Sequence, residues 1–209
     1  MRRIVLMQQS PSREDALLRA VVDAASRLNA EIAGLFIEDA DLLKLAGMPF
    51  ACEVCFPSAT RREMDVGYLE KSLRRLASEA RHTLESIASR TELPVSFRVA
   101  RGSVLAELLA AASDTDIVIA GSLARAHAKP GLTVVCRPGI SPQRIAELLS
   151  DLGPRVAGNI TVALLDDDGP SCRRWEEELR RAIASHALAR RLRVLCPSGQ
   201  VEFERLLRE

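Results

Sequence analysis

Residues 116–138 read DIVIAGSLARAHAKPGLTVVCRP, and this stretch decides the fold. Ile117–Ala120 is an apolar, largely β-branched run closed by Gly121-Ser122. After a polar loop comes a second run, Leu132–Cys136. Short β-branched runs bounded by Gly and Pro read as strands buried on both faces. In an open parallel sheet, ligands sit outside the carboxyl ends of the strands. Gly121-Ser122 therefore marks the place for a site.

Working back towards the amino terminus, Gly102-Ser103 opens a helix with Val104, Leu105, Leu108 and Leu109 inside. Pro94 starts a strand over Val95–Ala100. Before it, Thr60 and Glu63 have capping-box spacing ahead of a long helix, whose face is Leu69, Leu73, Leu76, Ala80, Leu84 and Ile87. The long connection Glu38–Arg62 holds a short helix, Asp41–Ala46, stopped by Gly47 and Pro49. Ile4–Met7 and Glu31–Ile37 are strands. Between them Ser12 and Asp15 have N-cap spacing, Leu17, Val21, Ala24 and Leu28 share a helix face, and Asn29 is the stop. A strand-helix-strand unit of this length implies a parallel pair with a right-handed crossover.

Beyond Pro138, Ser141 caps a helix carrying Ile145, Leu148 and Leu149, ended by Gly153-Pro154. A strand at Ile160–Leu165, a helix at Pro170–Ala189, a strand at Leu192–Cys196 and a last helix at Val201–Leu207 follow. With Pro11-Ser12 placed on Pro170-Ser171, the Leu35 strand falls on the Val194 strand without a gap. The expectation is an α/β fold: a Rossmann-like, doubly wound, parallel five-stranded sheet over residues 1–138, plus a smaller, incomplete α/β repeat over 139–209. That repeat is expected to pack on the first domain or on a partner chain.

Composition narrows the function classes. The chain has 209 residues, 47% hydrophobic and 27% charged, with net charge +1. Near-neutrality argues against a nucleic-acid binder, and 3% aromatics leave few stacking platforms. No apolar run approaches the roughly 20 residues that span a bilayer. The apolar run Ile4–Met7 is too short for a signal peptide, so the expectation is a cytoplasmic protein without nucleic-acid or membrane partners. The five cysteines, Cys52, Cys55, Cys136, Cys172 and Cys196, argue with that compartment against a disulfide framework. Cys136 and Cys196 end apolar runs and read as small core residues.

Three segments carry a resemblance: Ile4–Ser12, Ala33–Glu38, and Arg101–Leu109 leading into Thr115–Gly121. The last, a strand, a Gly, a short amphipathic helix, an Asp and a strand ending in Gly, is the most specific. Together they resemble the universal stress protein family over residues 1–138. The turn Asp168-Gly169-Pro170-Ser171 resembles the family's Asp-Gly-x-Ser turn, so the chain looks like a tandem form with a truncated second copy. The resemblance implies a regulatory or binding protein of the stress response, non-enzymatic, with ATP or another adenine nucleotide as the ligand where one binds. It also implies a homodimer paired through the last strand, here Leu132–Cys136, since an apolar edge strand wants a partner. ATP-binding members carry an acid after the first strand and Gly-x-x-Gly, then Gly-Ser or Gly-Thr about nine residues on, whose amides approach the phosphates. Here Gln8 and Gln9 replace the acid, Gly121 matches the first glycine, Ala124 stands at the second and Val134 near the third. The loop Leu123–Gly131 is too short for the usual helix. These departures imply weak or no ATP binding, or a nucleotide binder with a non-standard phosphate loop.

Gln8, Gln9, Ile37, Gly102, Ser103, Gly121 and Ser122 converge on this reading as a small-ligand cleft. Gly102 and Gly121 fit tight turns equally, and Ser103 a helix cap. Arg125, His127 and Lys129 can meet phosphates as point charges or simply line a solvated loop. Cys52-Glu-Val-Cys55 is a CxxC, the spacing of a thiol metal or redox sensor, but zinc needs about four ligands and no second pair exists. Asp166-Asp167-Asp168 suits Mg²⁺ or an acidic helix start. His82 and His186 have no partner in sequence, and no nucleophile elbow, Walker A loop or His-Glu-x-x-His occurs.

Overall fold

A computed structural model describes residues 2–8, 15–55, 58–121, 131–156, 158–166, 168–197, 202, 203 and 205. In chain order the main elements are β1 (Arg2–Gln8), α1 (Asp15–Arg27), β2 (Ala30–Asp39), α2 (Ala40–Ala46), β3 (Cys52–Cys55), β4 (Thr60–Glu63), α3 (Val66–Ala88) and β5 (Val95–Gly102). Next come α4 (Val104–Asp114), β6 (Ile117–Gly121), β7 (Leu132–Cys136), α5 (Pro142–Leu152), β8 (Ile160–Leu164), α6 (Gly169–Ala182) and β9 (Leu192–Leu195).

The apolar runs pair into one seven-stranded sheet, in the order β5-β2-β1-β6-β7-β8-β9. Strand alternation divides the core between its two faces. Ile4 and Leu6 of β1 point to the face covered by α1, α5 and α6; Val5 and Met7 point to the face covered by α4 and closed by Phe203. β6 and β7 are buried on both faces, as runs without polar alternation require. Leu73, Ala77, Ala80, Leu84 and Ala88 make the buried stripe of α3, and Phe36 packs on its middle. Asn29 ends the first helical segment at φ 48, the left-handed region Asn tolerates.

One pair departs from the parallel pattern. β6 and β7 are antiparallel, Ile117 facing Cys136 and Gly121 facing Leu132. A parallel pair needs a crossover of about a dozen residues or more, and only residues 122–131 are there to make it. β8 and β9 then run parallel to β7, so the carboxyl ends of β7, β8 and β9 lie at the pole opposite those of β1, β2, β5 and β6.

Several expectations are corrected. Leu132–Cys136 is not a free edge: β8 pairs with it throughout, from Leu132 with Ile160 to Cys136 with Leu164. The 139–209 segment thus extends the first sheet, because its own strands cover the apolar rim that a partner would otherwise take. Thr60 and Glu63 are not a capping box; they lie in β4, paired antiparallel with β3, and Asp65 caps α3 by accepting from the Tyr68 N–H at 2.6 Å. The helix begun near Pro170 stops at Ala182, and a 3-10 turn over Ala187–Arg191 leads into β9. Cys196 is not a lone core thiol: it is disulfide-bonded to Cys172 on α6. The expected cap at Ser12 lies outside the described residues.

Candidate functional site

Parallel register brings the predicted site residues to one rim. Gln8 pairs with Phe36, Ile37 with Ala100, Asp39 with Gly102, and Met7 with Ala120 beside Gly121. The carboxyl ends of β1, β2, β5 and β6 therefore meet as predicted, with α4 starting directly from Gly102-Ser103. Gln9 and Ser122, and with them Arg125, His127 and Lys129, lie outside the described residues.

The individual side chains differ in role. Ile37 is core, packed in the same cluster as Leu108 and Ala111. Gln8 is 2% exposed, and its Oε1 has no hydrogen-bond partner among the described residues. An unpaired buried acceptor costs about 1–3 kcal/mol, so a donor arriving at this rim would be rewarded. Ser103 is the N-cap residue of α4 but caps through its backbone alone, leaving an exposed hydroxyl. A Cβ at Gly102 would stand 2.9 Å from Glu107 Oε1, the far end of a flexible side chain that can swing aside, so glycine keeps this corner open without being obligatory. Glu107 sits in the first turn of α4, where the helix dipole favours an acid.

Sequence reasoning missed the strongest electrostatic feature of the rim. Arg101 donates from Nε to Glu38 Oε2 at 2.9 Å and from Nη2 to the same oxygen at 2.8 Å. Its Nη1 reaches Glu70 Oε1 on α3 at 3.1 Å. Glu38 is 7% exposed, so this carboxylate depends on its partner. The hydrogen bond and charge of Glu38 push the Arg101 guanidinium pKa up. An acid closing the apolar run of β2, and an arginine directly before the site glycine, were the available signals.

The other candidates resolve less favourably for chemistry. Cys52 is exposed on β3. A strand rises about 3.3 Å per residue, which separates the Cα atoms of residues 52 and 55 by roughly 10 Å, beyond the span of a disulfide. Among the described residues, no group of three or more His, Cys, Asp or Glu side chains is placed to hold a metal ion. Asp166 Oδ1 accepts from the Asp168 N–H at 3.0 Å and so shapes the turn into α6, with Asp168 at the N-cap. Asp167 lies outside the described residues. No described helix is long and apolar enough to cross a membrane.

No protein-family model matches the chain, and no curated protein matches its sequence. Solved structures do. A universal stress protein family member from Burkholderia pseudomallei has 12% identity, covers 94% of this chain and 96% of its own, and has a TM-score of 0.33. A universal stress protein from Archaeoglobus fulgidus has 11% identity over 94% of this chain and 78% of its own, with a TM-score of 0.39. A universal stress protein in complex with cAMP has 10% identity over 77% of this chain and 94% of its own, with a TM-score of 0.34. The solved structures to which this Rossmann-like α/β chain is similar are, in these three cases, universal stress proteins.

Proposed function

We propose that the chain is a universal-stress-protein-like regulatory protein of the stress response that binds a small ligand at the Gln8 rim and performs no chemistry on it. The observation that carries the reading is the buried Gln8 Oε1, without a hydrogen-bond partner among the described residues, at the carboxyl end of the interior strand β1. It sits where ligands bind in open α/β sheets. An acceptor in that position favours a ligand with an N–H or O–H donor, such as the exocyclic amine of a nucleobase.

Phosphate is poorly served. The start of α4 already carries Glu107, a carboxylate that would repel an incoming anion. Arg101, the cation beside Gly102, is committed to Glu38 and Glu70. The ligand is thus proposed to be held by its uncharged part, with little contribution from a triphosphate. The sheet rim that would pair two copies through β7 is filled by β8, so a homodimer, if formed, uses another surface.

The test is a thermal-shift titration of ligand-stripped protein with adenosine, AMP, cAMP, ATP and ATP with Mg²⁺. A ligand that binds only the folded state adds about 2.7 kcal/mol of stability at 100 times its Kd. Adenosine is expected to shift the melting temperature at least as much as ATP, and Gln8→Ala to abolish that shift. A larger shift with Mg-ATP than with adenosine would refute the phosphate argument and favour a rebuilt phosphate loop. No shift with any of the five would turn the search to other donor-bearing ligands or protein partners.

A further inference from the structure

The seven-stranded sheet ends on one side in the short strand β9, and on the other in β5, Val95–Gly102. With 8 residues and no proline, β5 is a long edge for pairing. Alternation divides its backbone groups. The Ile32 N–H donates to the Pro94 carbonyl at 3.1 Å, and Ile32 pairs with Val95 in parallel register. Ser96, Arg98 and Ala100 therefore turn their N–H and C=O towards β2, while Val95, Phe97, Val99 and Arg101 turn theirs outward. Among the described residues, those outward groups have no hydrogen-bond partner.

The side chains of this edge are partly apolar. Val99, in mid-strand, is 44% exposed. Leu43 of α2 and Phe97 pack on the Phe36 cluster, and α2 with the turn after it exposes Leu45, Met48 and Phe50. A row of free donors and acceptors beside an apolar flank suits another strand that brings an apolar flank of its own.

A second copy of β5 is such a strand. Two copies related by a two-fold axis pair antiparallel, and the axis passes through a residue because opposed side chains share a face. Along β5, only axes at Arg98 and Val99 pair nearly the whole strand. An axis at Arg98 sets two guanidinium groups directly opposite each other, which destabilises a pair. With the axis at Val99, Val99 meets its own counterpart and exchanges backbone hydrogen bonds with it through the outward groups. Phe97 then faces the second copy's Arg101, Arg98 its Ala100 and Ser96 its Gly102, with no like charges directly opposite. Arg101, already paired with Glu38 and Glu70, brings no uncompensated charge to the seam.

We propose that β5 is a self-association edge: it pairs antiparallel with β5 of a second copy about a two-fold axis at Val99 and joins two sheets into one. The pairing is independent of ligand binding at the Gln8 rim, and either can fail without the other.

The test uses the full chain, in sedimentation velocity over a concentration series and in amide hydrogen exchange at both ends of that series. A dimer is expected. The Phe97, Val99 and Arg101 amides should be protected in it and exchange faster on dilution, while the Arg98 and Ala100 amides, turned towards β2, change little. Val99→Lys sets two ammonium groups at the axis and should raise the dissociation constant about tenfold or more. Val99→Pro removes an N–H that β2 does not use, so it should weaken the dimer and leave the monomer folded. If neither variant folds, exchange in the wild type decides. Three results would each overturn the proposal: a chain that stays monomeric up to ~100 µM, which would leave the edge to a foreign strand; a dimer whose dissociation constant both folded variants leave unchanged; or exchange at Phe97, Val99 and Arg101 that does not depend on concentration.

Discussion

Breaking the Cys172–Cys196 bridge should cost a large part of the fold's stability. The bridge ties the first turn of α6 to the residue after β9, at a sequence separation of 24. Closing a loop of about 25 residues in the unfolded chain removes entropy worth about 3.5 kcal/mol at 25 °C. For a chain of this length that corresponds to roughly 7–14 °C in melting temperature. The double variant Cys172→Ala/Cys196→Ala also loses the packing of a side chain only 1% exposed, about 1 kcal/mol more. Reduced wild-type protein separates the two contributions, since it lacks the cross-link but keeps the sulfur in place. The assay is guanidinium unfolding read by far-ultraviolet circular dichroism and by the single tryptophan. Trp175 lies three residues from Cys172 and donates from Nε1 to the Ile140 carbonyl at 2.7 Å, so it reports on the bridged half. Oxidised and reduced protein unfolding within about 0.5 kcal/mol of each other, with free thiols verified by titration, would refute the reasoning.

Three further outcomes are expected. Gly34→Ala places a Cβ 2.4 Å from Phe97 Cδ2 and 2.7 Å from Leu84 Cδ2, so denaturant unfolding should show a loss of about 1–3 kcal/mol. Gly131→Ala places one 2.6 Å from the Asn159 carbonyl, which accepts the Leu132 N–H at 3.0 Å; this should loosen the β7–β8 seam and speed hydrogen exchange at Leu132 relative to β1 amides. Burial raises the pKa of the Cys136 thiol well above its ordinary 9.0. Because the folded value is the higher one, its stabilisation is complete below pH 9.0 and is lost as pH rises from there. Wild type should therefore lose up to about 1.4 kcal/mol per pH unit more than Cys136→Ala above that pH, and Cys52 should react with thiol reagents while Cys136 does not.

The sheet was legible because its signals are local. Ile117–Ala120 and Leu132–Cys136 are apolar without alternation, and both proved to be buried on two faces. Register then brought Gln8, Gly102 and Gly121 to one rim, which a strand-end argument anticipates. What failed was set by distant pairing. Thr60 and Glu63 have capping-box spacing, yet they pair with β3, and nothing in a four-residue spacing tells a cap from a strand. The partners Glu38 and Arg101 are 63 positions apart, and Cys172 and Cys196 are 24 apart. Those distances are closed by the fold alone. The Gln8 acceptor was found as a position, but its lack of a partner among the described residues is a property of burial, invisible in the chain.

The short connection between β6 and β7 has consequences beyond its length. With too few residues to cross over, the chain must turn back, and β7 enters the sheet reversed. Every parallel strand added after it inherits that direction, which is why β8 and β9 open their carboxyl ends at the far pole. The same reversal leaves β7 with a free apolar edge, a hazard for edge-to-edge association, and β8 covers it within the chain. One local economy thus fixes both the direction of the last three strands and the closing of the apolar edge of β7 by β8. Restoring a crossover of helical length between Gly121 and Leu132 should turn β7 parallel to β6. A folded variant whose amide contacts still pair Ile117 with Cys136 antiparallel would show that connection length does not set the reversal.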